Sequence, residues 1–114
     1  MELNCEEIDG TCVIRVNVAR IDAAVAMAFT KNMHNATQGR AERMIVDLSE
    51  VQFIDSSGLG AVVASLKQLE KGASLELAGL TIAVQKLFSL TKMDTVFKVH
   101  PSVETALGGG AHAA

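Results

Sequence analysis

Asp55, Ser56 and Ser57 stand together immediately before Gly58-Leu59-Gly60. An acid, two hydroxyls and two glycines in one short turn suit phosphate chemistry if the turn opens a helix. At a helix start the first backbone N–H groups lack intrahelical partners, and the positive end of the helix dipole favours negative charge. The flanking residues supply that setting. Met44-Ile45-Val46-Asp47-Leu48 reads as a buried strand upstream, and Leu59, Val62, Val63, Leu66 and Leu69 recur at helical spacing downstream. The phosphate would belong either to a bound ligand or to one of the serines.

The motifs for a bound nucleotide are incomplete. Gly58-Leu59-Gly60 begins a G-x-G pattern after a strand, but Val63 stands where the third glycine belongs, and the Gly-Lys-Ser/Thr ending of a P-loop is missing. A serine hydrolase elbow requires Gly-x-Ser-x-Gly, whereas Ile54-Asp55 precede Ser56. None of His34, His100 and His112 is placed by sequence as its base, and a serine without an oriented base is a poor nucleophile. The plainest alternative is capping, since Asp55, Ser56 and Ser57 are all good N-cap residues and Gly58 and Gly60 permit close packing. One cap needs one such side chain, and this turn supplies three.

Composition narrows the partners. The 114 residues suffice for one domain with a single core, and 49% hydrophobic with 20% charged residues is ordinary for a globular chain. A net charge of −3 and basic residues scattered singly argue against direct nucleic-acid binding, and the aromatics, 4% and all Phe, offer no base-stacking platform. No apolar run approaches the roughly 18 residues of a membrane span, so no membrane insertion is expected. The acidic N-terminus lacks a signal-peptide layout, which makes a cytoplasmic location the expectation. Cys5 and Cys12 have no metal-site spacing to other ligands and would stay reduced there, as two thiols in neighbouring strands. No metal or cofactor is expected.

Several elements must position the turn. Residues 1–9 and 11–18 read as a hairpin around Asp9-Gly10. Asp22 is a helix N-cap or first-turn acid for a helix with Val25, Phe29 and Met33 on one face, ending near Gly39. After the central strand and helix, which Gly72 closes, Leu75 and Leu77 alternate in a strand. Thr81 caps a third helix with core positions Val84, Leu87 and Phe88. Val96-Phe97-Lys98-Val99 forms a last strand, and Pro101-Ser102 opens a short helix through about Leu107. Strands alternating with helices predict an α/β fold with a largely parallel sheet and an antiparallel edge hairpin. Residues 1–107 form the single domain, and 108–114 are a flexible tail.

The run Asp47-Leu48-Ser49-Glu50-Val51-Gln52-Phe53-Ile54-Asp55-Ser56-Ser57-Gly58-Leu59-Gly60 closely resembles the signature of the STAS domain, as found in bacterial anti-sigma factor antagonists. The likeness extends to Arg20-Ile21-Asp22-Ala23 and to Leu87 through Phe97, and covers about residues 3–107. It implies the STAS fold, a mixed, mostly parallel five-stranded sheet with about four helices, and a binding partner in place of an enzyme. In such antagonists the serine after the motif aspartate accepts phosphate from a GHKL-type serine kinase that is also the anti-sigma factor. That position is Ser56 here, with Ser57 as the neighbouring alternative. The unphosphorylated form binds the kinase and frees a sigma factor, and a PP2C-type phosphatase restores it.

The resemblance also places Asp22 beside this turn, in phosphorylation or partner contact. Asp55 would orient the Ser56 hydroxyl, and Gly58, Leu59 and Gly60 would keep the turn low enough for a kinase to reach it. A phosphate adds about −1.5 to −2 charges to a small surface. A loss of about 3 kcal/mol at a docked interface weakens binding more than a hundredfold, and one like-charge clash suffices for that. The alternative is a non-switching STAS protein, an accessory subunit of a lipid-transport ABC system or a signalling scaffold.

Overall fold

A computed structural model describes residues 1–40 and 42–108. The strands are β1 (Cys5–Ile8), β2 (Thr11–Arg15), β3 (Arg20–Ile21), β4 (Arg43–Asp47), β5 (Phe53–Ile54), β6 (Ser74–Ala78) and β7 (Val99–His100). The helices are α1 (Ala26–Thr37), α2 (Ser56–Lys67), α3 (Ile82–Leu90) and α4 (Val103–Ala106), with a 3₁₀ turn over Met93–Thr95. The main sheet runs β1-β2-β4-β6-β7, while β3 and β5 form a separate two-stranded ribbon. Only β1 is antiparallel to its neighbour. This is the expected α/β architecture, a mixed five-stranded sheet with four helices.

Strand alternation sends successive side chains to opposite faces. Register aligns Met44 with Cys12 and Leu75, and Val46 with Ile14 and Leu77. These six face the main core, where Phe29 and Met33 of α1, Val62 of α2 and Val84 and Phe88 of α3 meet them. Each such fully buried side chain contributes about 1.5–3 kcal/mol relative to exposure. Ile45 and Ala78 face the other way, against Ala106 of α4. The β4 strand is therefore covered on both sides, which explains its unbroken apolar run.

At the hairpin, Asp9 and Gly10 both take positive φ, 51° and 79°. Positive φ at both central residues gives a type I′ turn, whose twist matches the strands it joins. A disulfide links Cys5 to Cys12 across this hairpin, with Cα atoms 5.4 Å apart. Free thiols were the expectation; the tight turn instead folds the two cysteines onto one another.

Other boundaries differ from the sequence reading. The β2 strand stops at Arg15, short of Val18, because the chain turns away to build the β3–β5 ribbon. Helix α1 starts at Ala26, several residues after Asp22. Helix α2 ends at Lys67, and Gly72 lies in the turn that follows. Its most buried positions are Gly58, Ala61, Val62 and Ser65, flanked by half-buried Leu59, Val63, Leu66 and Leu69. The Thr81 hydroxyl donates to the Val51 carbonyl at 2.9 Å and makes no side-chain cap for α3. Val96 and Phe97 are not strand residues: both amides donate to the Met93 carbonyl, which closes the 3₁₀ turn. That turn drops the Phe97 ring into the core, 6.2 Å from the Phe88 ring centroid. A short helix does follow Pro101-Ser102 as expected, and its cap is Ser102, whose hydroxyl accepts from the Thr105 amide at 3.0 Å. Of the expected tail, Gly108 follows α4 with φ 91°, and 109–114 lie outside the described residues.

Candidate functional site

The β3–β5 ribbon is what assembles the site. Arg20 pairs with Phe53 and Ile21 with Ile54. The Gln52 and Phe53 amides both donate to the Ala19 carbonyl, at 2.7 and 3.2 Å, and the Asp55 amide to the Ile21 carbonyl at 3.3 Å. Because the two strands are parallel, they release their chains in the same direction. The turn that begins at Asp22 and the turn that begins at Asp55 consequently lie side by side.

Asp55 caps α2: its Oδ1 accepts from the Gly58 amide at 2.8 Å. Its other oxygen, Oδ2, accepts from the Ala23 amide at 3.2 Å. One carboxylate thus satisfies an orphan donor of the helix and fastens the neighbouring turn. Both oxygens are committed to amides, and among the described residues neither bonds to the Ser56 hydroxyl. Asp55 holds the turn's shape, a different task from orienting the serine.

Asp22 is similarly engaged. Its Oδ1 accepts from the Ala24 amide at 3.1 Å and its carbonyl from the Val25 amide at 3.0 Å, which closes a turn before α1. Its Oδ2 lies 3.4 Å from Nε of Arg20, whose guanidinium stacks over the Phe53 ring at 4.3 Å. Phe53 is 41% exposed, so this cation–π pair forms part of the outer surface. The Arg20–Phe53 stack has no signature in local spacing, since it depends on ribbon register.

Gly58 is buried against the ribbon, and a Cβ on it would collide with the Ile21 carbonyl oxygen. Close approach of helix to strand therefore requires glycine there. Gly60 differs, because a Cβ on it would meet open space. It lies on an exposed ridge of α2, between two grooves.

Ser56 and Ser57 occupy the first turn of α2, both exposed, and neither hydroxyl has a protein partner among the described residues. They open onto different flanks. Ser57 lines a groove of about 500 Å³ between α1 and α2, with Ala26, Met27, Thr30, Gly60 and Ala64. Ser56 lines one of about 490 Å³ on the other side, with Leu59, Val63, Lys67 and Met93. Met27 is 87% exposed, a large apolar side chain left in solvent beside the turn. Sequence reasoning placed α1 in the core and did not single out this outward residue.

The histidines stand apart from the serines' chemistry. His34 lines the same groove as Ser57, with no bond between them among the described residues. His100 Nε2 lies 2.6 Å from Glu76, and His112 falls outside the described residues. Glu76 also receives a two-pronged bond from Arg43, at 2.9 and 2.7 Å. That guanidinium, with the imidazole as a lesser contributor, holds the Glu76 carboxyl down at about 2 against the opposing effect of burial. This cluster spans β4, β6 and β7 on the α4 side of the sheet. It is structural cross-bracing, on the face opposite the main core. Among the described residues no group of His, Cys, Asp and Glu is placed to hold a metal ion.

Comparison with known proteins follows the same lines. Residues 2–106 match the model of the STAS domain. An anti-sigma-B factor antagonist of Bacillus subtilis is 28% identical over 106 residues, covering 91% of this chain and 96% of that protein. An anti-sigma F factor antagonist of Paenibacillus polymyxa is 23% identical over 109 residues, covering 94% and 92%. The crystal structure of an anti-sigma factor antagonist from Mycobacterium paratuberculosis superposes with a TM-score of 0.80 at 26% identity, covering 93% of this chain and 90% of that one. These relatives bear the names of regulators. With the strand–turn–helix geometry in place and the family match spanning 2–106, the chain belongs to the STAS domain family.

Proposed function

We propose that this protein is an anti-sigma factor antagonist switched by phosphorylation of Ser56. Unphosphorylated, it docks on a GHKL-type kinase that is also the anti-sigma factor, and so releases a sigma factor. Phosphate on Ser56 ends that docking, and a PP2C-type phosphatase restores it. The observation that carries the reading is the Ser56 hydroxyl itself: exposed, without a protein partner among the described residues, and held on a turn whose carboxylates are already committed. A kinase can take such a hydroxyl without dismantling the fold.

The same arrangement supports inhibition. A phosphate of about −1.5 to −2 charges at Ser56 would stand beside the carboxylate of Asp55 and over an apolar groove. An apolar partner surface seated there would have to desolvate that charge, which costs several kcal/mol when it finds no counter-ion. Asp22, Asp55, Ser56, Ser57, Gly58, Leu59 and Gly60 make up the proposed switch surface. Among the described residues no helix is long and apolar enough to cross a membrane. A cytoplasmic location is part of the same proposal, since it is where the proposed kinase and sigma factor would be met.

The test uses wild-type, Ser56→Ala and Ser56→Asp proteins with the candidate kinase and Mg-ATP. One phosphate on the wild type, none on Ser56→Ala, and kinase binding lost only in Ser56→Asp would support the switch. Full phosphorylation of Ser56→Ala would move the site to Ser57. No phosphate on any form, with normal binding by Ser56→Asp, would remove the switch and leave a scaffold or ABC-transport accessory role.

A further inference from the structure

We propose that Cys5 and Cys12 are a reversible dithiol–disulfide pair, a redox modification site that clamps the edge hairpin onto the core. Register carries the proposal. Cys5 stands opposite Ile14 and Cys12 opposite Glu7, so the two cysteines are diagonal neighbours across the hairpin. Their Cα separation of 5.4 Å lies within the range that a disulfide spans without moving the backbone. The type I′ turn at Asp9-Gly10 holds the hairpin register, so the cysteines remain diagonal neighbours when reduced.

The two sulfurs are unequally accessible. Cys12 is fully buried in the main core, whereas Cys5 is half-buried and lines a polar groove against the C-terminal half of α1. Asn32, Asn35, Ala36 and Arg40 line that groove with it. Arg40 in that groove is already paired with two carboxylates, Glu7 at 3.5 Å and Glu42 at 3.3 Å, so accessibility and not charge separates the two sulfurs. Cys5 is therefore the entry sulfur and Cys12 the resolving one.

With a hydroperoxide as oxidant, Cys5 thiol becomes a sulfenic acid and the hydroperoxide leaves as the alcohol, or as water from hydrogen peroxide. The Cys12 sulfur then attacks the Cys5 sulfur, and the sulfenic oxygen departs as water with the remaining thiol proton. A small dithiol reverses the reaction. Its thiolate attacks the Cys5 sulfur, Cys12 leaves and takes a proton, and the reductant's second thiol displaces Cys5 as it closes to its own disulfide.

The bond joins residues seven apart and restrains β1 together with Leu3, which is buried just before it. Reduction leaves the β1–β2 ladder and its turn intact, so it loosens the hairpin without unfolding the domain. The site is independent of Ser56, and so is its test.

Purified full-length protein is treated in its folded state with hydrogen peroxide or with dithiothreitol. It is then freed of reagent and unfolded in urea with N-ethylmaleimide, so that buried Cys12 is also reached, and read by intact mass. Thermal melting follows the two folded forms in parallel. We expect no label after peroxide, two labels after dithiothreitol, and repeated cycling between the two states. Reduction should lower Tm by about 5–10 °C, and Cys5→Ser should abolish that dependence. Two labels after peroxide, none after dithiothreitol on the native protein, or a Tm indifferent to redox state would each overturn the proposal. Should Cys5→Ser fail to fold, the wild-type cycle decides alone.

Discussion

Asp55 reaches the backbone amide of Ala23, 32 residues earlier in the chain, with one carboxylate oxygen while the other caps its own helix. Two segments that must meet for the site to exist are thereby joined through one side chain. Replacing Asp55 by Ala removes both bonds. Loss of an N-cap costs about 0.5–2 kcal/mol, and we expect the upper end of that range because the Ala23 amide is orphaned as well. Asp55→Asn keeps acceptor oxygen for one of the two amides and should lose about half as much. Urea denaturation with an unchanged m-value measures both. An Asp55→Ala protein as stable as wild type would show that the carboxylate is not what holds the turns together.

Gly58 and Gly60, two residues apart, should respond oppositely to alanine. At Gly58 the added methyl runs into the Ile21 carbonyl, a backbone atom of the ribbon that cannot swing aside. We expect a loss of about 3 kcal/mol or more, or failure to fold. At Gly60 the methyl enters open space, and the better helix former should raise stability by about 0.5–1 kcal/mol. Paired thermal melts decide this, and equal effects at the two sites would contradict the packing described.

Met27 separates binding from stability. Because the side chain is 87% exposed, Met27→Ser should change folding free energy by no more than about 0.5 kcal/mol. If the proposed kinase covers the groove beside Ser57, the same change should weaken its binding about tenfold or more. Titration calorimetry with the kinase and a melt of the free protein give the two readings. Unaltered affinity would place the kinase elsewhere.

Glu76 gives the protein a defined acid sensitivity. Its folded carboxyl is held at about 2 against an ordinary 4.5, chiefly by Arg43. The unfolded chain takes up that proton first, so the associated stability is present above about pH 4.5 and is lost as pH falls towards 2. Arg43 is 35% exposed, so solvent screening reduces the contribution to about 1–2 kcal/mol. Glu76→Gln should therefore be less stable than wild type at pH 7 by that amount, with the gap closing under acid. Melting both proteins across pH 2–7 tests it, and a gap independent of pH would assign the loss to packing.

Much of this architecture was legible in the order of residues. Local pattern suffices where one element decides its own fate. The β-branched run of Thr11 to Arg15, the apolar stretch of Met44 to Asp47 and the Ser102 cap each carry their signal within a few residues. The Asp55-Ser56-Ser57-Gly58 turn was marked in the same way, because a strand, a cap and a helical stripe follow one another there. Val96 was misread because its β-propensity was overridden by the Met93 turn, which lets Phe97 reach Phe88. Propensity is a weak prior against the burial of a whole phenyl ring.

By itself, then, the sequence determined which residues could form the Asp55–Gly58 turn and which kind of sheet would carry it. Only tertiary structure decided that Asp22 and Asp55 share one surface, that Gly58 is indispensable where Gly60 is not, and that Ser56 and Ser57 face different grooves. The meeting of Asp22 with Asp55 and the demand for glycine at position 58 both depend on the parallel register of Arg20–Ile21 with Phe53–Ile54. Two-residue strands have too few side chains to write a period of two, so their pairing is fixed by the cores they connect and not by their own composition.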